Sequence, residues 1–119
     1  MLFSEVLKES SQFSSCFKKG RYIFCGFVTV YYIANGLEIN RVGISVSKKV
    51  FKRAVDRNRA KRIIRAAYRL NESKFERGYD IVFAVRKDID GKKTQDIEKI
   101  LPKVIKDINV HSVKKNESD

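Results

Sequence analysis

Hydrophobic and polar positions change period along this chain, and the changes divide it into elements. Phe13, Cys16 and Phe17 recur at helical spacing, with Ser10 or Ser11 placed to cap the start and Gly20 placed where a glycine ends a helix. Residues 21–34 are rich in aromatic and β-branched side chains and predict one strand, bulged or bent near Gly26. Asn35-Gly36 then signals a tight hairpin turn. The return strand, over residues 37–47, sets Val42, Ile44 and Val46 on one face and Arg41, Gly43, Ser45 and Ser47 on the other. That second face is small and polar, and could leave room for a ligand on the sheet.

Periodicity turns helical again over residues 56–70. At roughly 100° per residue, Ala60, Ile63, Ile64, Ala66, Ala67 and Leu70 fall on one arc, and Arg57, Asn58, Lys61, Arg62, Arg65 and Arg69 on the other. Arg59 projects to the apolar edge, where its stem can lie along the core and its head reach round. Asp56 is placed to cap the helix and offset its dipole. After a turn at Gly78, residues 79–85 have the apolar content of a buried strand. Strand, helix, strand implies a parallel pair, and such crossovers are normally right-handed. Ile97, Ile100, Leu101, Val104, Ile105 and Ile108 mark a last amphipathic helix, capped by Thr94 and kinked or restarted at Pro102. The polar tail, residues 113–119, is expected to fray.

Composition narrows the class. With 119 residues and no Pro/Gly/Ser-rich linker or internal repeat, residues 1–119 form one domain, long enough for a core but too short for a separate catalytic module. No run of about 18 apolar residues suggests a membrane span, and MLFSEVLKESS lacks the basic start and apolar run of a secretory signal. Cys16 and Cys25 are too few for a disulfide framework and stand outside any Cys/His cluster, so reduced thiols in a cytoplasm are expected.

Charge changes the picture most. Residues 41–69 hold eleven of the 26 Lys and Arg but only one of the 14 acidic residues, so +10 of the net +12 lies there. Concentrated charge of this kind attracts a polyanion and releases its counterions. An ordinary solvated face mixes signs in pairs four residues apart, whereas no carboxylate stands between Arg57 and Arg69. Nucleic acid is the expected partner.

The string Arg41-Val42-Gly43-Ile44-Ser45-Val46-Ser47-Lys48-Lys49, followed by Ala54-Val55-Asp56-Arg57-Asn58-Arg59-Ala60-Lys61-Arg62 and Arg65, closely resembles the signature of the protein subunit of bacterial ribonuclease P. The likeness extends through Phe17-Lys18-Lys19-Gly20, the aromatic first strand, and Tyr79-Asp80-Ile81-Val82 leading to Arg86-Lys87. Phe51-Lys52-Arg53 stands where the family often has a small, Gly-rich link, and Glu5 and Glu9 where its N-terminus is often more basic. The resemblance implies an α+β fold, a single-domain α/β sandwich in the order αβββαβα, with a left-handed βαβ crossover. It implies a cytoplasmic subunit whose partners are a catalytic RNA, which binds the magnesium, and precursor transfer RNA, with no membrane and no further protein required. By the same resemblance Lys48, Lys49, Arg53, Arg57, Asn58, Arg59, Lys61, Arg62 and Arg65 face RNA. Phe13, Phe17 and Tyr31 line a cleft for the substrate's 5′ leader, although helical spacing alone makes Phe13 and Phe17 core.

Little else in the chain offers chemistry. His111 is the single histidine, which excludes a histidine pair and disfavours a triad. Asp88-x-Asp90-Gly91 lacks the remaining ligands of a calcium loop and is expected to be a turn. Neither a Gly-rich phosphate loop nor a carboxylate cluster suited to metal-assisted hydrolysis is legible. A general or ribosomal RNA-binding protein is the alternative function, and an autonomous nuclease a third.

Overall fold

The computed structural model describes residues 4–118, with side chains as far as His111. A five-stranded mixed sheet carries helices on both faces, as an α/β sandwich should. In chain order the elements are β1 (Ser4–Val6), α1 (Ser10–Lys19), β2 (Arg21–Phe24), β3 (Val28–Ala34), β4 (Asn40–Ser45), α2 (Ala54–Asn71), β5 (Tyr79–Val85) and α3 (Thr94–Ser118). From α1 onward the order is αβββαβα; β1, too short to show a period, precedes it and pairs parallel to β4.

Across the sheet the strands run β1-β4-β5-β3-β2. The expected single strand over residues 21–34 is instead two, paired antiparallel as β2 and β3. Gly26, at φ +81°, supplies the left-handed conformation that reverses the chain, and the Cys25 N–H closes the turn on the Val28 carbonyl at 2.9 Å. Asn35-Gly36 likewise does not close a β3–β4 hairpin, because β5 lies between those strands, antiparallel to β3 and parallel to β4. The bonds of Asn35 go elsewhere. Its N–H donates to the Gly78 carbonyl, its Nδ2 to the Ile39 carbonyl and to Asp80 Oδ1, and its Oδ1 accepts from the Leu37 N–H.

β5 covers the expected residues 79–85 and is buried along nearly all its length. Opposite its Asp80, Arg41 of β4 forms a two-pronged ion pair, Nε to Oδ1 at 2.7 Å and Nη2 to Oδ2 at 2.9 Å. Asp80 is thereby bonded to both neighbouring regions of the sheet.

The larger core lies between the sheet and the pair α2 and α3. Val28, Val30, Tyr32, Ile81 and Phe83 meet Ile64, Ala67, Ile97, Leu101, Val104 and Ile108 there. The buried stripe of α2 follows the i+4 rows Ala60-Ile64-Tyr68 and Ile63-Ala67. It drifts away from Leu70, which is 68% exposed rather than core, while Tyr68, unassigned by the sequence, is fully buried. The Tyr68 hydroxyl lies 2.7 Å from Ser4 Oγ, which ties β1 down. α3 runs unbroken through Pro102: an interior proline costs about 3 kcal/mol, and Ile97, Leu101, Val104 and Ile108 are fully buried on both sides of it. Its start is held by Asp96 Oδ2, which accepts the Lys93 N–H at 2.8 Å, rather than by Thr94. The helix is drawn to Ser118; the side chains after His111 and the whole of Asp119 lie outside the described residues, where the expectation of a frayed tail over residues 113–119 also falls.

On the other face α1 packs alone. It begins after Glu9, whose extended backbone makes it the cap in place of Ser10 or Ser11, and whose N–H is accepted by Gln12 Oε1. Its Cys16 is fully buried against β5, and burial, aided by the charge of Asp80, pushes the thiol up to about 12. Phe13 lies on Gly43 of β4: a Cβ there would stand 2.5 Å from the ring. The room left by the small face of β4 is therefore filled at Gly43 by the chain itself. Replacing Gly43 with Ala should destabilise the protein by about 1–3 kcal/mol through overpacking, read as a lower urea midpoint with unchanged slope; an unaltered midpoint would mean that α1 yields freely.

Candidate nucleic-acid interface

Two surfaces carry the residues singled out from sequence. The first is built on α2 and the turn before it. β4 ends at Ser45, and the Ser47 carbonyl accepts from the Val50 and Phe51 N–H groups, a tight turn that leaves Lys48 and Lys49 exposed at its tip. α2 then starts after Arg53, two residues before the expected boundary, so Asp56 sits inside the first turn instead of capping it. Asp56 takes the Arg53 guanidinium at 3.0 Å, and that hydrogen bond holds its carboxyl below the usual range.

The nine expected RNA-facing residues divide by what they already hold. Arg53 is paired with Asp56; Arg57 donates through Nη1 to the carbonyls of Phe51 and Lys52, both at 2.8 Å; Arg59 reaches round to the Lys92 carbonyl at 2.7 Å, as its place at the apolar edge suggested. The Phe51-Lys52-Arg53 link is thus gripped by the helix that follows it. Lys48, Lys49, Asn58, Lys61, Arg62 and Arg65 have no side-chain partner among the described residues. Asn58, Lys61, Arg62, Arg65 and Arg69 line one shallow depression with Ala66 at its floor. Positive charge gathered without carboxylates in a concave surface is suited to bind phosphates, which guanidinium forks grip through parallel hydrogen bonds.

The second surface lies where α1 crosses the sheet. Phe17 is 40% exposed and stands edge-on to Tyr31, ring centroids 4.9 Å apart at 86°. Tyr31 in turn faces Tyr22 at 5.7 Å. Phe13, half-buried like Tyr31, lies over Gly43 and packs with Tyr31 on the small cluster of Leu7, Cys16 and Val82. Sequence reading missed Tyr22 and Phe24, exposed on β2 by 67% and 54%. Their alternation was available, but only once residues 21–34 are divided at Gly26.

Among the described residues no group of three or more His, Cys, Asp or Glu could hold a metal ion. Asp88 and Asp90 belong to a tight turn around the buried Ile89, with the Asp90 N–H on the Lys87 carbonyl. His111 Nδ1 lies 2.7 Å from the Tyr32 hydroxyl and 2.8 Å from the Asp107 carbonyl, a bond between α3 and the sheet. Among the described residues no helix is long and apolar enough to cross a membrane.

The family model for ribonuclease P matches residues 1–109. The chain belongs to the bacterial ribonuclease P protein family. It is 42% identical over 101 residues to the ribonuclease P protein component of Clostridioides difficile, covering 84% of this chain and 88% of that one. The corresponding protein of Lachnoclostridium phytofermentans is 44% identical over 98 residues, covering 82% and 84%. Among solved structures, the ribonuclease P protein of Thermotoga maritima superposes with a TM-score of 0.77 at 29% identity, over 87% of this chain and 97% of that one. That of Staphylococcus aureus gives 0.74 at 32%, over 85% and 92%. As a ribonuclease P protein the chain is a subunit of an enzyme whose catalyst is RNA and which removes the 5′ leader of precursor transfer RNA.

The geometry separates two arginines that the sequence motif treats alike. Arg65→Ala should reduce the salt dependence of binding to the catalytic RNA by about one unit, the mark of one lost phosphate contact, without lowering the melting temperature. Arg57→Ala should in addition cost about 1 kcal/mol of stability, because the Phe51 and Lys52 carbonyls lose their donor. Titrations at several salt concentrations and urea melts check both, and unchanged slopes would take this face out of the interface.

Proposed function

We propose that the basic arc of α2, with Lys48 and Lys49, binds the catalytic RNA of ribonuclease P, and that the cleft between α1 and the sheet receives the 5′ leader of precursor transfer RNA. The observation that carries the first half is the set of cations left without carboxylates from Lys61 to Arg69. Lys48, Lys49, Asn58, Lys61, Arg62 and Arg65 contact RNA directly; Arg53, Arg57 and Arg59 shape the surface and offer their remaining donors. Exposed aromatic rings suit unpaired bases, and Phe13, Phe17 and Tyr31 give the leader its stacking platform, Phe13 also fixing α1 on the sheet over Gly43.

Magnesium, on this reading, belongs to the RNA partner, and the protein's cations lower the concentration needed by replacing some of the ions that bring two polyanions together. The site of action is the bacterial cytoplasm, in keeping with two unpaired thiols. The rival reading as a general RNA-binding protein leaves the aromatic cleft without a role.

With the holoenzyme reconstituted, Phe17→Ala and Tyr31→Ala should each weaken binding of precursor transfer RNA roughly fivefold or more, while leaving mature transfer RNA unaffected. Equal losses for both RNAs would make these rings core and remove the leader from the cleft.

A further inference from the structure

We propose that the leader track continues past Tyr31 onto the edge strand β2, where Tyr22 and Phe24 are further base-stacking rings and Arg86 is the cation at its far end. The proposal rests on the leader reading above and extends it to three residues to which the resemblance gave no role with the leader.

Register places the rings. Tyr22 stands directly opposite Tyr31 and Phe24 opposite Thr29 in the β2–β3 pair, and the two-residue alternation of strands puts Tyr22 and Phe24 on the face that carries Tyr31. Phe17, Tyr31 and Tyr22 form a row with centroid separations of 4.9 Å and 5.7 Å, running from α1 to the sheet edge. Phe24 lies two residues further along that edge, with the Arg86 guanidinium 5.1 Å from its ring centroid.

The two β2 rings do little for the fold, being 67% and 54% exposed. Large exposed aromatics on an edge strand invite aggregation, and charge is the usual protection. Here the nearby charge on that face is cationic: Arg86 is exposed and has no carboxylate partner among the described residues, whereas Arg21, opposite Tyr32, turns to the other face of the sheet. A row of rings ending at a cation suits a single strand of bases and phosphates, and the Arg86 guanidinium over the Phe24 ring offers a second flat surface together with phosphate donors. Continuity with the Phe17–Tyr31 platform identifies the occupant as the single-stranded leader. Tyr22 and Phe24 present ring faces without a set of base-reading donors, so the extension senses the length of the leader more than its sequence.

The test uses reconstituted holoenzyme and precursor transfer RNAs whose leaders run from none to about ten nucleotides. Tyr22→Ala combined with Phe24→Ala, and Arg86→Ala, are compared with Phe17→Ala and Tyr31→Ala, and Tyr22→Phe serves as the conservative variant. The β2 and Arg86 variants should melt like the parent. They should lose affinity roughly fivefold, but only for leaders longer than those at which the Phe17 and Tyr31 variants first show their loss, and Tyr22→Phe should retain parental affinity. Leader-dependent losses for Phe17 and Tyr31 with none for Tyr22 and Phe24 would overturn the extension alone; no leader-dependent loss in any variant would overturn the cleft as well. A change in sedimentation of the free protein, with leader affinity intact, would assign the β2 edge to a second copy of the chain and overturn the proposal.

Discussion

The position of β5 between β3 and β4 governs the molecule. Because β5 runs parallel to β4, the chain cannot return by a tight turn and must cross over, and the crossover is α2. The ion pair of Arg41 and Asp80, joined by Asn35, fixes where that crossing ends. Buried pairs of this kind contribute to register more dependably than to net stability, since desolvation offsets much of their attraction. A one-residue slip would turn Ile81, Phe83 and Val85 away from the main core and set Asp80 within it.

That constraint gives α2 its two roles. One arc, the rows through Ile64 and Ala67, is held against the sheet and α3 by burial, while the opposite arc is free to concentrate charge. Repulsion among Lys61, Arg62, Arg65 and Arg69 is tolerated because the packed arc is enough to hold the helix, and the polyanion proposed to bind there would relieve it. Arg53, Arg57 and Arg59 are a different group: they grip their own link and loop, so the first turn of the helix is organised before any partner arrives.

Periodicity made the interior elements legible. β5 matches the expected residues 79–85, and most of the basic arc of α2 is legible, although Ala66 lines it and Tyr68, projecting between Arg57 and Lys61, is buried. Turns and ends were less legible. Gly26 reads as a bend in sequence, although a positive φ can also reverse the chain, and Asn35-Gly36 suggests a hairpin because local sequence does not report that a distant strand will insert. Leu70 was misplaced because a helical projection knows the face but not where the neighbouring layer ends. The row of aromatic rings is the least legible part: Phe17 and Tyr31 rest on resemblance, and Tyr22 emerges only with the β2–β3 pairing.

The chain binds RNA and leaves hydrolysis to the catalytic RNA. Cleavage of precursor transfer RNA by rigorously RNA-free protein in magnesium, with and without added catalytic RNA, decides between the two. Hydrolysis of a phosphodiester needs an activated water and stabilised charge on the phosphate oxygens, so the account predicts no cleavage by the protein alone and, with the RNA, a single cut at the mature 5′ end. Cleavage by the protein alone, lost on replacing one of its carboxylates, would contradict it.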